Sequence, residues 1–218
     1  MDWTRNIDSY CERLGPEVWA EPVNALSNLA FLLVAAMMWG RVRGLPLAQA
    51  MVLVLAVIGV GSFLFHTQAQ VWAALADTLP ILGFVLLYLF AANRDYWRLR
   101  LWPALGLTAL FVPYAAATIP VFAKLPGLGS SAAYAPVPLL IAVYAVALWR
   151  RVPLVARGLM VGAGVLVLSL TFRSLDLPLC GRWPLGTHFA WHLLNAAMLG
   201  WMIEVYRRHM LAGAAPRR

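Results

Sequence analysis

The chain has 218 residues, 62% of them hydrophobic and only 12% charged, with a mean hydropathy of +0.75 and a net charge of +8. So few charges cannot cover the surface of a soluble domain of this size, which excludes an ordinary soluble fold. The basic excess flanks apolar runs and lies in short loops, so it reads as topology signals and lipid headgroup contacts, with no nucleic acid as partner.

In chain order, the first stretch is polar. Residues 1–23 carry Asp8, Cys11, Glu12, Glu17 and Glu21, and no cleavable signal peptide is evident. Asn24 and Asn28 follow at i, i+4. Carboxylates and amide oxygens suit a hard cation such as calcium; a solvated acidic segment with Asn caps explains the same residues. Seven apolar segments then succeed one another: Asn24–Gly40, Pro46–Phe65, Gln70–Asn93, Leu101–Ile119, Ala132–Trp149, Pro153–Phe172 and Thr187–Tyr206. Each is near the roughly 20 residues that cross a bilayer as a helix. The expected fold is all-α: a polytopic seven-helix bundle over residues 24–207, with a tail at 208–218. Pro80, Pro103, Pro113 and Pro136 fall inside spans, where membrane helices tolerate proline.

Orientation follows from arginine and lysine. The N-terminal side carries Arg5, Arg13, Lys124, Arg173 and Arg182; the other twelve of the 17 basic residues, Arg217 and Arg218 included, fall on the opposite side. This predicts the N-terminus outside and the C-terminus in the cytoplasm. The short loops point to a bacterial inner membrane. Cys11 and Cys180 then share the non-cytoplasmic side, where a disulfide persists; two free thiols are the alternative.

The same topology gathers chemistry. His66 ends the second span, in "GSFLFHTQAQ". His188 and His192 begin the seventh, in "GTHFAWHLLNA", at i, i+4 on one helix face. All three fall in the outer half of the bundle, whereas His209 lies at the opposite end as a surface residue. Asp77 sits about 10 Å into the third span by helix rise. A carboxylate at such depth costs about 2.5–3.5 kcal/mol on insertion scales and is usually functional. Ser62 lies one turn deeper than His66 on the second span. Three histidines with an open position form a catalytic zinc pattern, a carboxylate can carry a proton and a hydroxyl can support an oxyanion. Helix–helix hydrogen bonding, haem ligation and an ion relay in a transporter or metal-binding receptor are the competing readings of these residues.

The pieces "YCER", "WAEPVNALSN", "GSFLFHTQAQVWAALADTLP", "FRSLDLPLC" and "GTHFAWHLLNA" resemble the alkaline ceramidases, within the seven-span hydrolase superfamily that includes the progestin and adipoQ receptors. The resemblance implies a zinc amidohydrolase that cleaves ceramide, or a related N-acyl lipid, to a sphingoid base and a fatty acid. It implies His66, His188 and His192 as zinc ligands, Asp77 acting on water, Ser62 assisting, a Cys11–Cys180 disulfide and a structural Asp176 in the loop before the last span. It also implies a calcium site, for which Glu12, Glu21 and Asp8 are the matching residues. Leu14 stands where the family has an Asn ligand.

Overall fold

The computed structural model describes residues 2–214; Arg217 and Arg218, counted above for orientation, lie outside them. Every regular element is helical: α1 (Pro22–Ser27), α2 (Leu29–Trp39), α3 (Pro46–Gln68), α4 (Val71–Ala91), α5 (Leu101–Ala109), α6 (Phe111–Phe122), α7 (Pro136–Leu148), α8 (Pro153–Leu179) and α9 (His188–Ala214). Among the described residues no strand forms; one isolated bridge joins Asn6 to Gln70. Lipid offers no partner for open backbone, so intrahelical bonding is what this composition demands. Proline opens α1, α3, α7 and α8 within their first two positions, where its missing N–H would have had no intrahelical acceptor anyway.

Among the described residues, five helical segments are long and apolar enough to cross a membrane: Pro22–Trp39, Pro46–Gln68, Val71–Tyr96, Leu101–Phe122 and Pro153–Leu179. The protein is therefore a multi-pass membrane protein. The two other expected spans differ from the sequence reading. α7 has only 13 residues, because a 3-10 turn over Gly129–Ala133 takes the place of its expected first turns. α9 has 27 residues, but His188, His192, Asn195 and Glu204 dilute its apolar character. The fourth span is two helices meeting at Leu110, and the third ends in a π-turn, Ala92–Tyr96.

α8 runs on to Leu179, so Asp176 lies in a helix and not in a loop. α9 continues through residues 208–214, the first part of the expected tail. His209 is not a free surface residue: its ring packs edge-on against Tyr96 at 4.9 Å.

The apolar core lies between α2, α3, α4, α7, α8 and α9. Exposed leucines and valines, such as Leu33, Val57, Val112 and Val146, face outward from the bundle, as lipid contact requires. At the histidine end the N-terminal segment lies across the α3–α4 turn. Ile7 N donates to Ala69 O (2.7 Å) and Val71 N to Arg5 O (3.2 Å). Ala69 adopts the left-handed conformation that ends α3.

Candidate active site

Three imidazoles meet where the end of α3 faces the start of α9. Each of His66, His188 and His192 offers a nitrogen within 4.8 Å of the other two. All three residues are at most 1% exposed. Three of their ring nitrogens, His66 Nε2, His188 Nδ1 and His192 Nε2, are buried without any hydrogen-bond partner. An orphaned buried polar atom costs about 1–3 kcal/mol, and three in one place need a common explanation. Among the described residues this is the only group of three or more His, Cys, Asp or Glu side chains placed to hold a metal ion. The donor set, three buried imidazoles, fits zinc.

Two rings have their tautomer set from outside. His66 Nδ1 lies 2.6 Å from Glu21 Oε2. Glu21 is paired with the Arg13 guanidinium and accepts from Asn24 Nδ2, so it is held as a carboxylate. An ionised carboxylate only accepts, so His66 Nδ1 donates and Nε2 keeps its lone pair. His192 Nδ1 lies 2.7 Å from Ser27 Oγ, and the Ser27 hydroxyl proton goes to Asn24 O at 2.8 Å. Ser27 therefore accepts from His192 Nδ1–H, and Nε2 is again free. His188 is held by its neighbours: Tyr10 stacks on it at 3.7 Å between ring centroids.

Asp176 seats the helix that carries two of the three histidines. Its carboxylate accepts from Thr187 N (2.7 Å), His188 N (2.9 Å) and Cys11 N (2.9 Å). It thus satisfies donors at the start of α9 that lack intrahelical partners and ties them to the N-terminal segment. Gly186, with φ +68°, makes the turn beside it, where an added Cβ would collide with the Asp176 carboxylate. A disulfide joins Cys11 to Cys180 (Cα–Cα 5.4 Å) and closes the same corner.

Ser62 and Asp77 face a common cavity with His192. Ser62 is buried and Asp77 half-buried. The cavity continues away from the histidines to Tyr88, Ala92 and Tyr144 between α4 and α7. From Asp77 to Ala92 is about 22 Å of helix rise. Its walls are otherwise nearly all apolar, with Ile81, Phe84, Leu140 and Leu166 among them. The lining is apolar along this length and turns polar only toward the histidine end, at Ser62, Asp77 and His192.

Of the N-terminal carboxylates, Glu12 and Glu21 both bond Asn24, and Asp8 stands apart from them. Glu12 accepts from Val23 N (2.7 Å) and Asn24 N (2.8 Å) at the start of α1. Burial nevertheless raises its carboxyl above the usual value. Glu21 is bound to Arg13 and His66, and Asp8 is exposed. Arg13, expected as a surface charge, is instead 6% exposed.

The family model for Ceramidase matches residues 8–213, nearly the whole chain. The chain belongs to the ceramidase family. No curated protein matches it. The ceramidase family acts on the amide bond of ceramide. Such a reaction needs a place for a lipid and a means of activating water, and in this chain the apolar cavity and the three-histidine cluster adjoin. Sequence reasoning missed Ser27 and Arg13 as supports of the histidine cluster. The only signal was their place inside "YCER" and "WAEPVNALSN", and nothing local showed that either side chain reaches a histidine.

Proposed function

We propose that this ceramidase-family protein is a zinc-dependent amidohydrolase that cleaves ceramide or a related N-acyl lipid within the bilayer. In this reading α7 and α9 complete a seven-span bundle, the N-terminus lies outside, and the site opens in the periplasmic-side half of a bacterial inner membrane. His66, His188 and His192 hold the metal. Bound there, zinc supplies a Lewis acid for the amide carbonyl and lowers the pKa of a water to about 7.

The chain's own residues do the rest. The apolar cavity takes the acyl chain and leaves the amide beside Ser62, Asp77 and His192. Asp77 takes a proton from the attacking water and delivers it to the leaving nitrogen. The carbonyl carbon gains an oxygen, the C–N bond breaks, and a fatty acid and a free amine result. The Ser62 hydroxyl donates toward the carbonyl oxygen as charge builds on it. Glu21 and Ser27 keep two imidazoles in the tautomer that presents Nε2.

The observation that carries this reading is the set of three buried, unpartnered imidazole nitrogens at the end of an apolar cavity that Asp77 also lines. The test is zinc content and turnover of a long-chain N-acyl sphingoid amide by detergent-purified protein, beside Asp77→Asn. The expected result is about one zinc per chain in both, with turnover lower by about 10²–10⁴-fold in the variant. Full turnover in the variant, or no zinc in folded protein, overturns it. Metal flux in vesicles that depends on Asp77, without hydrolysis, would indicate a transporter.

A further inference from the structure

Arg13 is a buried cation close to the metal site, and its partners are unusual. Nε donates to the Glu21 carboxylate. Nη1 donates to Gly15 O (2.9 Å) and Glu17 O (3.4 Å). Nη2 donates to His66 O (2.9 Å). Glu21 in turn accepts from His66 Nδ1 at 2.6 Å and from Asn24 Nδ2 at 3.1 Å. One guanidinium therefore holds His66 twice, directly at its backbone carbonyl and through Glu21 at its ring.

The oxygens collected on Arg13, three carbonyls and one carboxylate, are the kind that surround a hard divalent cation. Here that position is filled by a charge covalently part of the chain. Glu12 is occupied elsewhere, with both carboxylate oxygens on backbone N–H groups of the first turn of α1.

We propose that Arg13 is the resident cation of this acidic segment and a positioning residue for the metal site. It fixes Glu21 and the His66 carbonyl so that His66 presents Nε2 to its neighbours, with no calcium required. The planar fork matters: it reaches the carboxylate and three carbonyls at once, and it stays charged at any physiological pH. A lysine carries the charge without the fork. This inference rests on the reading of the three histidines as a zinc site.

The experiment compares wild type, Arg13→Gln, Arg13→Lys, Glu21→Gln and the double variant Arg13→Gln/Glu21→Gln. The zinc dissociation constant is measured by chelator competition in calcium-depleted buffer with and without added calcium, and melting is followed without zinc, with added calcium or with EGTA. Arg13→Gln is expected to weaken zinc about 10–100-fold, with Arg13→Lys in between. The double variant should lose less zinc affinity than the two single losses combined, because part of Arg13's hold on His66 runs through Glu21. It also removes the unpaired buried carboxylate that could unfold the single variant. Added calcium should leave wild type unchanged in both readouts, and EGTA should leave its zinc-free melting unchanged.

Zinc affinity equal to wild type in folded Arg13→Gln, or in the double variant, would make Arg13 a structural residue only. Dependence of the wild type on calcium would remove its role as resident cation. If folded wild type binds no zinc, the metal reading fails and this inference with it; if wild type binds zinc and Arg13→Gln matches it, this inference alone fails.

Discussion

The Ala76 carbonyl oxygen of α4 occupies the place where a Cβ on Gly61 of α3 would be. Ala76 is four residues before Pro80, which lies inside α4 and has no N–H to offer that carbonyl. Ser62 follows Gly61 and Asp77 follows Ala76, so this backbone contact sets the spacing of the two proposed catalytic side chains. Gly61→Ala should force α3 and α4 apart, at a cost of about 1–3 kcal/mol for overpacking. Turnover should fall at least ~10-fold, since small misplacements of reacting groups are expensive. Zinc content should be retained, because no histidine ligand is carried by α4. Normal turnover in this variant would show that the contact does not position Asp77.

Ser27 accepts from His192 Nδ1 at 2.7 Å. Ser27→Ala removes the acceptor that sets this tautomer, and zinc affinity should drop about 10–100-fold. The check is zinc competition on the purified variant. Unchanged affinity would mean that helix packing alone orients the ring.

Asp176 accepts three backbone N–H bonds from two distant segments. Asp176→Ala should destabilise the protein by about 1–3 kcal/mol, because buried donors at the start of α9 lose their partner. The loss is read as a lower thermal midpoint in detergent. Because His188 N is one of those donors, zinc should also bind more weakly. A midpoint equal to wild type would remove Asp176 from the site's support.

The Cys11–Cys180 disulfide closes a separation of 169 residues. Chain-entropy reasoning puts its contribution at no more than about 5 kcal/mol, and helices that persist in the denatured membrane state reduce it. Reduction, or Cys11→Ser with Cys180→Ser, should lower the thermal midpoint. It should also loosen the N-terminal segment, seen as faster proteolysis around residues 12–21. Equal midpoints with and without reductant would assign the corner's stability to Asp176.

The sequence by itself determined the class of fold and the level of the site. Long apolar runs can satisfy their backbone in a membrane only as helices. His66, His188 and His192, at the ends of antiparallel-running spans, had to lie at one end of the bundle. The i, i+4 spacing of the last two put them on one face. Pattern could not determine which polar side chains finish that site. Pattern reads Arg13 as a topology charge and Glu12, Glu21 and Asp8 as ligands for calcium, and it gives Ser27 no role. Their roles depend on contacts across 53 residues for Arg13 with His66 and 165 for Ser27 with His192. Only tertiary packing decides such contacts, because a hydrogen bond needs its two atoms about 3 Å apart. For residues so distant in sequence, that separation is set by how α1, α3 and α9 pack.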